Sequence, residues 1–169
     1  MKKIKVLISE TEIKNKINKI ARQINKDFKN KNLVIVSILS GSVIFCSDII
    51  RKLKIDFEID FIRVSSYKGT KSSGKIKFLY DTVSDVNGKD VLLIEDICDT
   101  GKTLSYIKNL FLKKKVNSIK SCVLIDKKLK KHKDIKIDYF GFTINNEFVV
   151  GYGLDYNGKY RGLPYIGVI

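Results

Sequence analysis

The chain is short of the residues that most often signal metal cages and cross-links: it has 1 His, 1 Pro and 3 Cys in 169 residues. The single histidine, His132, leaves no second imidazole for a zinc site, and nothing near Cys98 supplies the base that would make it a nucleophile. Cys46, Cys98 and Cys122 are odd in number and scattered. That excludes a disulfide framework and fits reduced, packed thiols in a cytoplasmic compartment. No apolar stretch approaches the roughly 20 residues that a membrane span needs, so a soluble protein without a membrane partner is expected. Internal repeats, linkers and low-complexity segments are also missing. The expectation is a single domain over residues 1–169, long enough to bury a core without disulfides.

What the chain has in excess is positive charge, +15 from 33 basic and 18 acidic residues. Such a balance points toward nucleic acid, an anionic surface or a phosphorylated substrate. The lysines, however, are spread along the chain, with local density at Lys113–Lys115 and Lys127–Lys131. No aromatic residues interleave these clusters as a stacking platform would require, which weighs against nucleic acid. A solvated face and attraction of a phosphorylated substrate stay open.

The run from Val91 to Leu104 carries the most chemistry. Val91-Leu92-Leu93-Ile94 reads as a strand covered on both faces, of the kind found in parallel sheets flanked by helices. Three carboxylates follow where that strand ends. Glu95 and Asp96, on opposite sides of the strand, suit ribose hydroxyls or the waters of a hard cation, and Asp99 projects from the loop as a candidate base. Thr100-Gly101-Lys102-Thr103 then opens a helix marked by Leu104, Ile107, Leu110 and Phe111, whose first N–H groups form an anion cradle. A Walker loop would need glycine at position 96, where this chain has Asp, and a carboxylate there would repel phosphate. The plainer reading is a solvated strand end before an ordinary helix.

Elsewhere, Ser9 and Glu12 form a capping box before Ile13, Ile17, Ile20 and Ile24, which predicts an amphipathic helix ending near Phe28. Leu33–Leu39 reads as a buried strand, broken at Ser40-Gly41-Ser42 and followed by an apolar helix through Leu53. Phe57, Ile59 and Phe61 alternate with Glu58 and Asp60 in a further strand. A polar loop of about 65–75 follows, expected to be mobile, before a short strand at Ile76–Tyr80 and a turn at Asn87-Gly88. Strands at Ile119–Ile125 and Ile137–Phe142 complete an α/β pattern. Right-handed crossovers make this a central, mainly parallel sheet flanked by helices, with a small cap built from the amino- and carboxy-terminal segments.

The segment Glu95 to Thr103 resembles the phosphoribosyl pyrophosphate signature of type I phosphoribosyltransferases. Phe148-Val149-Val150-Gly151-Tyr152-Gly153-Leu154-Asp155-Tyr156 and Tyr160-Arg161-Gly162-Leu163-Pro164-Tyr165 are similar to the base-binding and carboxy-terminal segments of the hypoxanthine-guanine branch. The resemblance implies a purine salvage enzyme that joins phosphoribosyl pyrophosphate to hypoxanthine, and to guanine as well, with Mg2+ as cofactor and a homodimer or homotetramer as the assembly. It further implies that Asp99 acts on the base nitrogen, while Asp99, Thr100, Gly101, Lys102, Thr103 and Leu104 hold the 5′-phosphate. Glu95 and Asp96 serve ribose and metal, with Asp155 as a further metal residue. Lys127, Phe148, Val149 and Asp155 take the base, Lys127 donating to the 6-oxo oxygen in a way that adenine's amino group does not accept.

Ser40, Gly41 and Arg161 are implied for pyrophosphate, and Ser66 and Tyr67 ride the closing loop. Relatives commonly carry Lys or Arg where this chain has Ser40, so weaker binding of pyrophosphate is expected. Taken alone, Lys127 is one more surface lysine, Phe148 a core residue and Asp155 a turn residue; the matched spacing carries the inference. Some proteins of this fold are regulators that bind RNA, and the basic charge keeps that alternative in view.

Overall fold

Aliphatic runs become strands here, and isoleucines spaced by three and four become a helix. The computed structural model describes residues 4–66, 76–127 and 135–169. In chain order the elements are β1 (Lys5–Ile8), α1 (Glu10–Asp27), β2 (Leu33–Leu39), α2 (Val43–Ile50), β3 (Glu58–Ser66), β4 (Ile76–Tyr80), β5 (Asp90–Cys98), α3 (Lys102–Lys113), β6 (Ser118–Lys127), β7 (Tyr139–Ile144), β8 (Val149–Val150) and β9 (Ile166–Val168). Six strands form a central sheet in the order β4-β3-β2-β5-β6-β7, and three form a smaller sheet in the order β1-β9-β8. All neighbours in the large sheet are parallel except β4, which returns antiparallel beside β3. This is an α/β fold with a mainly parallel sheet between helices.

Alternation along the central strands divides the core in two. Leu33 and Ile35 of β2, with Leu92 and Ile94 of β5, face α1 and α2. Val34, Val36 and Ile38, with Val91 and Leu93, face Leu104, Ile107 and Phe111 of α3. Both sets are buried, which is why these strands read as unbroken aliphatic runs. The first helix is fixed at its start by Ser9, whose hydroxyl accepts from the Glu12 N–H while Glu12 Oε2 accepts from the Ser9 N–H at 2.8 Å. It buries Ile13, Ile17, Ile20, Ala21 and Ile24 against the large sheet. The cysteines Cys46, Cys98 and Cys122 are all buried. Among the described residues no helix is long and apolar enough to cross a membrane.

Two details differ from the sequence pattern. In β3 the buried residues are Asp60 and Ile62, while Ile59 is exposed. Asp60 tolerates this because its carboxylate accepts from the N–H groups of Phe61 and Ser84, both at 2.7 Å, pinning the loop before β5. The second concerns the expected loop, whose first two residues, Ser65 and Ser66, belong to β3. Tyr67 and His132 lie outside the described residues.

Phe28 caps α1 and is fully buried, with the ammonium groups of Lys31 and Lys120 each 5.4 Å from its ring centroid. Phe28→Ala is expected to cost about 3–5 kcal/mol, from lost burial and the cavity left behind. Urea unfolding checks this as a lower midpoint with an unchanged slope.

Candidate active site

A strand buried on both faces can carry charge only where it leaves the core. In β5 that point is reached at Glu95, and two clefts open beside it. The smaller, about 80 Å³, is lined by Glu95, Ile97, Cys98, Asp99, Thr100, Gly101, Thr103 and Leu104. The larger, about 250 Å³, is lined by Asp96, Ile97, Asp99, Lys127, Phe148, Val149, Leu154 and Asp155. Glu95 therefore faces one cleft and Asp96 the other, while Ile97 and Asp99 form the wall they share.

The smaller cleft is a cradle for an anion. Gly101 is the N-cap of α3, with φ of 70°, and no side chain caps the helix. The N–H groups of the first turn are thus left for a ligand, at the positive end of the helix dipole. Leu104 is fully buried, so its backbone is what it offers. The Lys102 side chain is exposed and lines neither cleft. Only its backbone, at the first position of α3, faces the role assigned to it. Burial pushes the Cys98 thiol up to about 12, which keeps it out of nucleophilic chemistry.

The larger cleft gathers all four residues expected at the base. Lys127 ends β6, Val149 begins β8, and Phe148 just before it is 52% exposed, unusual for a phenylalanine that only packs. Its ring meets that of Tyr156 edge to face, with centroids 5.6 Å apart. An apolar plate, a cation and a carboxylate thus face one space, which suits a flat heterocycle with an oxo group. Ile97, Leu154 and Tyr156 were not singled out from the sequence. Ile97 shares its strand parity with Glu95, which was a readable signal for it; the other two had none apart from their neighbours.

Arg161 differs in its engagement. Its guanidinium pairs with Asp155 through Nη2 and Oδ1 at 2.6 Å and donates from Nη1 to the Gly153 carbonyl at 2.5 Å. Asp155 Oδ2 also accepts from the Gly158 N–H at 2.8 Å. Asp155 is consequently spoken for, and among the described residues no three His, Cys, Asp or Glu side chains converge as a metal-binding group. Of the three expected metal residues, Asp155 is the one engaged by Arg161 and the Gly158 N–H, and Glu95 and Asp96 form an adjacent pair. That pair does fit a divalent cation shared with ligand oxygens. Glu95 Oε2 is buried without a hydrogen-bond partner, and the neighbouring Asp96 charge adds to the cost of ionising it.

Burial, with Asp96 second, pushes the Glu95 carboxyl up to about 8. Asp96 is also raised, first by burial, against backbone hydrogen bonds and the Arg161 charge that oppose the shift. Beside it the Leu39–Ser40 peptide is cis, and Gly41 lies so close to Asp96 that a Cβ there would stand 1.7 Å from Oδ2. Gly41 thus borders Asp96, with Ser40 next to it in the chain. Of Ser66 the backbone alone is described.

The sequence model of the phosphoribosyl transferase domain matches residues 9–157. A bifunctional protein TilS/HprT of Listeria monocytogenes is 45% identical over 98% of this chain, which spans 26% of that protein. The chain thus covers about a quarter of the length of such relatives. The hypoxanthine-guanine phosphoribosyltransferase of Streptococcus pyogenes is 43% identical over 98% of this chain and 92% of its own length. A crystal structure of a Staphylococcus aureus hypoxanthine phosphoribosyltransferase superposes with a TM-score of 0.93 at 46% identity, covering 98% of this chain and 90% of that one.

The Glu95 proton has a measurable consequence. The folded protein binds it more tightly than an unfolded chain, where glutamate titrates near 4.5, so this group's contribution to stability is lost as pH rises from 4.5 through about 8. Glu95→Gln removes that dependence. The melting temperature of the variant is expected to gain on that of the wild type between pH 5 and pH 9, by differential scanning calorimetry; a constant difference would refute the assignment.

Proposed function

The chain belongs to the phosphoribosyl transferase domain family, and from that premise we propose that it transfers the 5-phosphoribosyl group of phosphoribosyl pyrophosphate to hypoxanthine, and to guanine, as an enzyme of purine salvage. The observation that carries this reading is the wall shared by the two clefts. A phosphate-sized cradle and a base-sized slot meet at Asp99 and Ile97, which is where a sugar joining phosphate to base would lie. The Streptococcus pyogenes and Staphylococcus aureus relatives are transferases of this kind, and they lend no support to a regulatory RNA-binding role.

In the proposed reaction a nitrogen of the purine forms a bond to the anomeric carbon of the ribose as that carbon's bond to pyrophosphate breaks. The electron pair leaves with the pyrophosphate, and the ring passes through oxocarbenium character. Asp99 faces the slot and receives or shares the proton of the attacking nitrogen. The first turn of α3, with Thr100 and Thr103, holds the 5′-phosphate. Phe148 stacks on the purine, Val149 and Leu154 border its edge, and Lys127 donates to the 6-oxo oxygen. Adenine presents an amino group there, leaving two donors face to face.

Glu95 and Asp96 are the residues that would hold a divalent cation, magnesium in this reading, together with ligand oxygens. When bound, such an ion offsets charge on the leaving pyrophosphate. Ser40 and Gly41 present backbone to the pyrophosphate. Arg161 reaches it only by leaving Asp155, and with no cation at Ser40 the leaving group is held less tightly. Tyr67 remains the proposed loop residue that closes over the site. The proposed assembly is a homodimer or homotetramer in the cytoplasm, for which exposed Val43 on α2 and Ile59 on β3 supply apolar surface.

Incubation with magnesium, phosphoribosyl pyrophosphate and each purine in turn tests the reading. Inosine monophosphate is expected from hypoxanthine and no nucleotide from adenine, and Asp99→Asn should lower kcat by about a hundredfold to ten-thousandfold. Lys127→Ala should raise KM for hypoxanthine while leaving KM for phosphoribosyl pyrophosphate near its original value. Failure of every base to give a nucleotide would overturn the proposal.

A further inference from the structure

Three consecutive residues, Gly151, Tyr152 and Gly153, all have positive φ, at 97°, 50° and 100°. Two of them are glycines for a steric reason. A Cβ on Gly153 would stand 2.1 Å from the Gly41 carbonyl oxygen, and one on Gly151 would stand 2.1 Å from that of Tyr165. Tyr152 has no such excuse, since a bulky side chain rarely occupies left-handed backbone unless its surroundings compel it.

The surroundings provide backbone ties on one side and a single side-chain bond on the other. The N–H groups of Tyr152 and Gly153 donate to the carbonyls of Leu163 and Arg161, at 2.8 and 2.9 Å. The Tyr152 hydroxyl donates to Asp48 Oδ2 on α2, and Asp48 Oδ1 accepts from Arg51. Packing holds the ring as well, since Tyr152 belongs to the core cluster that includes Ile13, Ile17 and Ile49. Tyr152 borders a cavity of about 530 Å³, also lined by Ile17, Ile44, Asp48, Leu163 and Pro164. Tyr152 is buried yet borders open space, and its hydroxyl's bond is the one polar tie from its side chain to α2.

The two elements joined in this way carry the two halves of the leaving-group site. Helix α2 follows directly from Ser40-Gly41-Ser42. The Tyr152 segment continues through Gly153, whose carbonyl holds Arg161, to Asp155. Gly41 in turn lies against both Asp96 and Gly153. A small rotation of α2 relative to Tyr152 would therefore change the spacing of Gly41, Asp96 and Arg161 together.

We propose that Tyr152 and Asp48 are positioning residues for the pyrophosphate-bearing substrate, their hydrogen bond fixing the Ser40–Gly41 loop against the Gly153–Arg161 segment. This rests on the transferase reading. It assigns no contact with the purine, which lies beyond Asp155 on Phe148 and Lys127. It concerns the affinity for one substrate and leaves the other alone.

The test compares Tyr152→Phe, Asp48→Ala, their double variant, Asp48→Asn and Arg51→Ala. Losing one hydrogen bond of this kind should raise KM for phosphoribosyl pyrophosphate about fivefold to tenfold, with KM for hypoxanthine within about twofold of wild type. The double variant should be no worse than either single one, because both remove the same bond. Asp48→Asn keeps an acceptor oxygen and should restore binding, and Arg51→Ala should behave as wild type. Equal rises in both KM values, a change confined to melting temperature, or an Asp48→Asn variant as weak as Asp48→Ala would overturn the proposal. Calorimetric titration of magnesium pyrophosphate reads the same tie without turnover. A wild type that makes no nucleotide would refute the transferase reading, whereas weakened titration only in Tyr152→Phe and Asp48→Ala would still support the tie.

Discussion

Burial of β5 on both faces is the constraint from which the site follows. A strand enclosed between α1 and α2 on one side and α3 on the other leaves its middle, Val91 to Ile94, wholly aliphatic. Its acids stand toward its two ends, Asp90 at the start, held by Asn117 and Ser118, and Glu95 and Asp96 together near the finish. Glu95 and Asp96 then project to opposite sides of one backbone, so a single strand serves two clefts at once. The helix that follows adds an anion-binding end at no further cost in side chains. A phosphate cradle, a pair of acids and a base-facing carboxylate are thus consequences of one strand ending where its cover ends.

The same geometry creates an electrostatic problem within the site. Two carboxylates stand on adjacent residues; burial raises both, the Asp96 charge adds to the cost of ionising Glu95, and the Arg161 charge favours ionised Asp96. Arg161 is divided between Asp155, the Gly153 carbonyl and the field at Asp96. Without a ligand the site therefore holds acids in search of positive charge and an arginine already committed. A ligand that carries a cation fits this imbalance.

Much of this was legible from the sequence. The buried strand, the capping box at Ser9 and Glu12, and the acidic strand end each have a local cause, and local causes leave local patterns. The spaced motifs around Phe148 and Lys127 were legible through resemblance, since neither residue is informative alone. What remained hidden depends on distant partners. Asp60 is buried because the Ser84 N–H, 24 residues away, needs an acceptor. Tyr152 is tied to Asp48 across 104 positions, and Asp155 is claimed by an arginine held in place by the Gly153 carbonyl.

Strand β9 lies between β1 and β8, pairing Lys5 with Val168 and Val149 with the same residue. The small sheet is therefore closed by contacts that span nearly the whole chain. The larger cleft has one wall on each sheet: Lys127 and Asp96 belong to the large one, Phe148 and Val149 to the edge of the small one. Whatever fills that cleft acts as a removable cross-link between two separately hydrogen-bonded bodies. By linkage, an occupant that touches both walls favours the arrangement in which the two sheets, already joined by one apolar core, stand together.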